Sequence, residues 1–455
     1  MLQRAIGMVC KALLLLLALG VPAWAVTVQQ EQTRSVEGLV FDLKHPDPER
    51  RKQAAAALGQ NKVRSAVPAL IEATEDSDAS VRYEAVKALV QIHDNRALES
   101  YIRLTRDSEK RTQEKAIEGI INTYVADETG LIQGVKKVVG FLNPFSDDYN
   151  PLMVEPYVPV SQDAVNALID LLFHNDRGLR KDAATALGIL RARSALPAIE
   201  DALQKERSND VKVELIRAVY KIGDPTAGEM LVPFIRDRDK KVHDEAIFAV
   251  GRLRVKSAVP QLNEIYRAGI EERRKILGIV PVSGSDDLQR KVIEALSYIG
   301  DSSSIDIFLD ALEDERVHYR RHAAEGLGRS GQKEHVTLLA RKYLREDSST
   351  VKLALGFSLF KLGREEHLVE LVDSIQNDQA YYYLLELTPD QARLLYPHLR
   401  SERDSIKIRL LDVIGLTADM SAMPVVQELS QSKNTDVVSA ANLAIRRLNG
   451  RFPDA

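Results

Sequence analysis

The sequence predicts an all-α fold, an α-solenoid of about twelve helical hairpins that stack into a curved superhelix. One apolar stripe, spaced i, i+4, i+7, i+8 and i+11 as on one helix face, recurs along the chain. Its fourth position advances by 31 residues from Leu58 to Leu89 and again from Val219 to Val250. A single hairpin buries little apolar surface, so this regular repeat indicates that neighbouring hairpins share one continuous core.

Proline and aspartate mark where the helices of each hairpin begin. An apolar-Pro pair ends ten residues after the stripe residue at Pro68, Pro197, Pro260 and Pro424. A proline in the first turn lacks only an amide hydrogen that would be unbonded anyway. An acidic residue such as Asp78 precedes the second helix, where its side chain can accept hydrogen bonds from the free amides of the first turn.

Two short motifs carry a family resemblance. Residues 78–82 read Asp-Ala-Ser-Val-Arg, and residues 183–188 read Ala-Ala-Thr-Ala-Leu-Gly. This pattern resembles the HEAT family, in the short form of repeat found in phycobiliprotein lyases. The resemblance implies a solenoid but no single function, because the repeat serves many unrelated roles. It also implies a structural ladder of basic residues stacked against the turn aspartates, with the members Arg82, Arg180, Lys212 and Lys352.

The first 25 residues predict a secretory signal peptide. Arg4 and Lys11 form a basic region before the apolar run 12–19, and Ala23 and Ala25 are small residues before a cleavage point. We therefore expect cleavage after Ala25 and an exported solenoid, periplasmic or extracellular, over residues 26–455. The alternative is a retained anchor on an envelope structural protein, although the apolar run is short for a membrane core of roughly 30 Å.

Composition excludes several kinds of site. The chain has 62 basic and 66 acidic residues, a net charge of -4, which gives no support for nucleic-acid binding. Its one cysteine, Cys10, lies within the signal peptide. The mature chain is therefore expected to have no disulfide, thiol nucleophile or cysteine metal site.

Two insertions, at about residues 126–160 and 268–286, break the repeat and are candidates for partner binding. Either they contact a partner or they fold back and cover exposed core. The amphipathic stretch 131–142 also leaves membrane contact possible, although it carries few lysines. The candidate contact residues, including one tyrosine of a degenerate hairpin, are Leu131, Val135, Val139, Phe141, Phe145, Tyr149, Tyr157, Ile276, Ile279 and Tyr382.

One helix carries a weak candidate for a metal site. His318 and His322 lie four residues apart, and Glu325 lies one turn further along. Arg320 and Arg321 on the same helix would repel a cation. We therefore predict a solvated helix face and no metal site.

No catalytic constellation is evident in the sequence. The HEAT-like enzyme deoxyhypusine hydroxylase binds iron through His-Glu dipeptides, and no histidine here is followed by glutamate. Phycobiliprotein lyases act on cytosolic chromoproteins, which an exported chain fits poorly. The sequence therefore predicts a scaffold that binds a protein or peptide along the solenoid surface, without a cofactor and not an enzyme. The alternative is a HEAT-type metal- or cofactor-dependent enzyme, lyase-like or hydroxylase-like.

Overall fold

The computed structural model describes residues 35–125, 153–155, 157–276, 284–401 and 403–453. These residues form helices and turns and contain no strand. The chain divides into two units, Met1–Thr123 and Tyr124–Ala455. Among the described helices, none is both long enough and apolar enough to cross a membrane.

The first unit consists of three helical hairpins. Its helices are α1 Val36–Asp42, α2 Pro48–Gln60, α3 Val67–Ala73, α4 Ala79–Ile92, α5 Leu98–Leu104 and α6 Lys110–Val125, whose last two residues belong to the second unit.

The second unit continues the same alternation of helices. Its α-helices are α7 Gln162–Leu171, α8 Arg177–Ile189, α9 Leu196–Lys205, α10 Asn209–Ile222, α11 Lys240–Arg252, α12 Val259–Ile276, α13 Gly284–Ile299, α14 Ile305–Ala311, α15 Val317–Ser330, α16 Val336–Arg345, α17 Ser349–Lys361, α18 Leu368–Asp373, α19 Asp378–Leu384, α20 Pro389–Ala392, α21 His398–Ser401, α22 Asp404–Thr417, α23 Met423–Leu429 and α24 Thr435–Arg451. A 3-10 helix, Pro225–Arg236, takes the place of an α-helix between α10 and α11.

The repeat pattern of the sequence fixes the helix starts and the core. Asp78 caps α4 by accepting hydrogen bonds from the amides of Ser80 and Val81. Stripe residues such as Val81 and Leu89 are fully buried. The all-α solenoid predicted from the stripe is therefore confirmed.

Small residues let successive hairpins approach closely. A Cβ atom added at Gly188 would lie 2.9 Å from the Cα atom of Ala218 in the next repeat, and one added at Gly251 would lie 2.6 Å from the Cα atom of Ala295. Real Cβ atoms almost never come so close. This contact explains why glycine follows the stripe residue in several repeats.

The predicted ladder is confirmed for three of its four members. Arg82 pairs with Asp107 at 2.6 Å, Arg180 with Glu206 at 2.7 Å and Lys212 with Asp237 at 3.4 Å. The prediction is wrong for Lys352, whose ammonium lies 5.1 Å from the ring centre of Tyr343. The residue 25 positions further on, where Arg82 and Lys212 each have an aspartate, is the uncharged Asn377.

Residues just before α7 join the beginning and the end of the second unit. The amide of Val154 donates to the Ile189 carbonyl at the end of α8, at 2.8 Å. The carboxylate of Glu155 accepts a 2.7 Å bond from Arg447 on α24, the last helix. A Cβ atom added at Gly450 would lie 2.2 Å from Tyr157 Cβ. Through these contacts, residues 154–157 connect the last helix of the unit to its first hairpin.

The described parts of the two insertions differ in structure. In the second, residues 268–276 extend α12 and residues 284–286 begin α13. In the first, only residues 153–155 and 157–160 are described after α6 ends at Val125. The predicted signal peptide, residues 1–25, lies outside the described residues.

Candidate functional site

A cavity of about 650 Å³ lies inside the second unit, between the ends of hairpins that are far apart in the sequence. Its walls are the inner faces of α13 and α15, the end of α11, the start of α17 and the helix α19. A volume of this size is in the range of small-molecule sites, which run from roughly 300 to 1,000 Å³. We call it the charge pocket, because arginines and carboxylates make up much of its lining.

Helical spacing brings the charged groups of α13 and α15 to the pocket. Arg290, Glu294 and Tyr298 on α13 are four residues apart and share one face. On α15, His322 and Glu325 lie one turn apart in the same way. Glu294, His322 and Glu325 are buried, so these polar residues lie on faces that the neighbouring repeats cover.

Glu325 has several hydrogen-bonding and charged neighbours in the pocket. Its carboxylate accepts a hydrogen bond from Tyr383 Oη at 2.5 Å and faces His322 Nδ1 at 3.2 Å. Arg321 and Arg329 lie at 3.4 and 3.6 Å. Burial alone would raise the pKa of Glu325, but Arg321 and His322 lower it well below its usual value. Glu325 is therefore a permanent anion whose charge is already neutralised by the protein.

Glu386, just after α19, is a second neutralised anion. Arg329 donates two hydrogen bonds to it, from Nη2 to Oε1 at 2.7 Å and from Nε to Oε2 at 3.0 Å. Arg254 adds a further bond to Oε2 at 2.7 Å. Burial opposes the charge on Glu386, but Arg329 lowers its pKa. This cluster links α15 to the ends of α11 and α19 across long stretches of sequence.

Glu294 is different, because one of its oxygens has no partner. Its Oε2 atom is buried and makes no hydrogen bond within the described part of the chain. His322 Nε2 lies 3.9 Å away. Burial raises the pKa of Glu294 to about 7, against the opposing effect of Arg321. Burial and Arg321 also lower the pKa of His322 to about 4, so its ring is neutral near pH 7.

Arg252 is the cation of the pocket without an acidic partner. Its guanidinium lies 4.5 Å from the ring centre of Tyr298. Among the described residues no ion pair joins Arg252 to a carboxylate, whereas Arg290 pairs with Asp287 at 2.8 Å. The lining of the pocket therefore includes one cation without an acidic partner, Arg252, and one carboxylate oxygen without a hydrogen-bond donor, Glu294 Oε2.

The prediction of a solvated helix face at His318, His322 and Glu325 is wrong, because His322 and Glu325 are buried. His318, His322 and Glu325 all line the charge pocket. Within the described residues, no group of three or more His, Cys, Asp or Glu side chains is arranged to hold a metal ion. Glu325 is instead bonded to Tyr383 and flanked by Arg321, so its charge serves a hydrogen-bond network.

The predicted partner-binding residues have separate locations. Tyr382 lines the charge pocket and is half-buried. Tyr157 lies against α24, and Ile276 is the last residue of α12. The other candidates, Leu131, Val135, Val139, Phe141, Phe145, Tyr149 and Ile279, lie outside the described residues.

Sequence reasoning missed Arg252, Glu294, Arg329 and Glu386. One signal could have indicated Glu294: it directly precedes the buried stripe residue Ala295, on the face that the repeat buries. A charged residue at such a position needs either a partner or a ligand. A larger groove of about 850 Å³ is lined by residues between α14 and α15 and by α16, and its Arg320 forms a ladder-type pair with Glu346 at 2.8 Å.

Family models built from known sequences match the repeat over parts of the chain. Residues 36–121 and 270–360 match HEAT repeats. Residues 179–205 match the PBS lyase HEAT-like repeat. The chain carries HEAT repeats. The second HEAT match, over residues 270–360, includes α13 and α15 and thus much of the charge pocket.

A curated relative of these HEAT repeats is the bilin biosynthesis protein PecE of Mastigocladus laminosus. It is 38% identical over 84 residues, which is 18% of this chain and 31% of PecE. The chain thus spans about a third of the length of this relative. The prediction that the chain is not an enzyme is contradicted by this similarity, because it relates the repeats to a protein of a biosynthetic reaction.

Solved structures align with much of this chain at low identity and low TM-score. An engineered protein is 19% identical, covers 92% of this chain and 99% of its own, and has a TM-score of 0.43. The complex of CpcE and CpcF of phycocyanin lyase from Nostoc sp. PCC7120 is 18% identical, covers 67% of this chain and 99% of the matched chain, and has a TM-score of 0.34. Scores this low add nothing to the assignment made from sequence.

Proposed function

We propose that this HEAT-repeat protein has a lyase-like function, in which it holds a small organic molecule in the charge pocket and binds a protein partner on its repeats. The observation that carries the proposal is the pocket itself. Burying charged groups costs several kcal/mol per ion unless each one is well paired. A scaffold that only binds along its surface has no need for a pocket lined by buried arginines and glutamates.

The relative adds a chemical direction to this proposal. PecE is named for bilin biosynthesis, and bilins are open-chain tetrapyrroles with carboxylate side chains and pyrrole N–H groups. The arginines of the charge pocket suit carboxylates, and Glu294 Oε2 can accept a hydrogen bond from an N–H group. Stacked repeats also offer extended surfaces of the kind that bind proteins.

Biliverdin, an open-chain tetrapyrrole, is a suitable probe of the ligand half of the proposal. We expect the full chain to bind one equivalent and shift its visible absorption bands. Tyr382→Ala removes an aromatic wall of the pocket and should weaken binding severalfold. Tyr396→Ala is the matched control, since Tyr396 lies outside the pocket and bonds Ser421. No spectral change with the full chain, or equal effects of the two variants, would refute the proposal.

Crosslinking mass spectrometry on native cells tests the partner half. We expect crosslinks from the repeats to one specific protein, reproducible between preparations. Crosslinks confined to the chain itself would contradict a partner-binding role.

We also propose that the protein is exported and cleaved after Ala25, so that its ligand and its protein partner lie outside the cytosol and the partner is not a cytosolic chromoprotein. The basic residues Arg4 and Lys11, the apolar run 12–19 and the small residues before position 26 support this proposal. The intact mass of the protein from its native cell tests it. A chain that begins at Val26 agrees with export, whereas a chain that still begins at Met1 contradicts cleavage.

A further inference from the structure

Most charged side chains of the charge pocket have a partner of opposite charge, but two do not. Glu325 and Glu386 are held by Arg321, Arg329 and Arg254, as described above. Once these groups are paired, Arg252 remains without a carboxylate and Glu294 Oε2 without a donor.

Arg252 and Glu294 do not satisfy each other. They are close enough to interact electrostatically, but no ion pair joins them. Tyr298, one turn after Glu294 on α13, holds the Arg252 guanidinium against its ring at 4.5 Å. The arginine is therefore held in place while its hydrogen-bonding edge is left without an acidic partner.

We propose that the charge pocket binds a small organic acid that also carries an N–H or O–H donor, with its carboxylate on Arg252 and its donor on Glu294 Oε2. This inference rests on the proposed function and names the chemistry of its ligand. A guanidinium can donate two parallel hydrogen bonds to one carboxylate. A buried acceptor without a partner costs about 1–3 kcal/mol, which a ligand donor would recover.

Simpler ligands fit this pair of groups less well. An inorganic anion could bind Arg252, but it would have no proton to donate to Glu294. A metal cation could bind Glu294, but Arg321 and Arg252 lie nearby and would repel it. A ligand with an acid at one end and a donor at the other satisfies both groups.

The aminobenzoates are direct probes of this arrangement. We would titrate the full chain with benzoate, aniline and the three aminobenzoate isomers, and follow binding by calorimetry. Benzoate carries only the carboxylate, and aniline carries only the donor. We expect at least one aminobenzoate isomer to bind about tenfold more tightly than either, since a hydrogen bond to a charged group contributes about 1.5–3 kcal/mol.

Three variants assign the effect to the two groups. Arg252→Gln should weaken benzoate and the preferred aminobenzoate at least tenfold. Glu294→Leu should remove the advantage of the aminobenzoate and leave benzoate within about twofold of the unmodified chain. Arg193→Gln is the control, because Arg193 is 71% exposed and lies outside the pocket. The inference is overturned if no aminobenzoate binds more tightly than both benzoate and aniline, a result that needs no variant to fold.

The result separates this inference from the proposed function. Aminobenzoate binding that depends on Arg252, without any biliverdin binding, would support the ligand class and refute the lyase-like function. Biliverdin binding that Arg252→Gln leaves unchanged would support the function and refute the ligand class.

Discussion

Arg329 offers a sharp test of how the charge pocket is held together. Its guanidinium bonds Glu386 at 2.7 Å, and the two side chains are 5% and 13% exposed. A third bond, from Nη1 to the Ser297 carbonyl at 3.0 Å, joins α15 to α13. Arg329→Met keeps most of the apolar stem and removes all of these bonds.

The expected loss follows from the burial of the partner. Without Arg329, Glu386 keeps only Arg254, whose side chain is 52% exposed. Removing one member of a buried ion pair costs about 3–5 kcal/mol, because the other charge stays buried without compensation. The double variant Arg329→Met with Glu386→Leu should recover at least about 2 kcal/mol of that loss, since the buried charge of Glu386 is removed together with its partner.

A second arginine pair provides the control. Arg393 bonds Asp419 at the same distance of 2.7 Å, but the side chains are 51% and 28% exposed. Exposed ion pairs contribute little to stability because water and salt screen them, so Arg393→Met should have little effect.

Hydrogen exchange of the folded chain is the appropriate assay, because a repeat array with two units need not unfold in one step. We expect exchange in α15 to rise at least about a hundredfold in Arg329→Met, since every 1.4 kcal/mol is roughly tenfold. Exchange in α15 should stay near normal in Arg393→Met. Equal changes in the two variants, or a double variant less stable than Arg329→Met, would refute the reasoning.

Three other perturbations test separate features. Arg447→Met removes the bond to Glu155 and a 2.6 Å bond to Asp412 on α22, so we expect exchange in α24 to rise at least about tenfold, and unchanged exchange would show that these contacts contribute nothing. Burial raises the pKa of Glu294 from 4.5 to about 7, so its contribution to stability is full below pH 4.5 and is lost as pH rises to about 7. The free energy of unfolding of Glu294→Gln, relative to that of the unmodified chain, should therefore increase by up to about 3 kcal/mol between pH 4.5 and 7. A difference in melting temperature between the two proteins that does not change with pH would contradict this. Gly188→Val places side-chain atoms against Ala218, where a Cβ atom already comes within 2.9 Å of Cα, so we expect a loss of about 1–3 kcal/mol in thermal unfolding; an unchanged melting temperature would mean that the hairpins can separate freely.

Much of the fold could be predicted because its determinants are local. The stripe through Val81 and Leu89 and the cap at Asp78 each act within one hairpin, so they are visible in a short window of sequence. The ladder could be predicted for Arg82 because its partner Asp107 lies in the next repeat. Lys352 departs from it because Asn377, which carries no charge, lies 25 residues further on, where Arg82 and Lys212 each have an aspartate.

The candidate site could be predicted only in part. His322 and Glu325 were recognisable because helical spacing places them on one face of α15. Arg254 and Glu386 are 132 residues apart, and their contact depends on how several hairpins are superimposed in space. The position of one hairpin relative to a distant one depends on every stacking angle between them, and no single sequence motif determines it.

A crystal structure of the full chain soaked with the preferred aminobenzoate tests the central claim most directly. We expect one molecule in the charge pocket, with its carboxylate on Arg252 and its amine on Glu294 Oε2. A pocket without bound aminobenzoate, in which Glu294 Oε2 accepts a hydrogen bond from a protein side chain, would contradict the account.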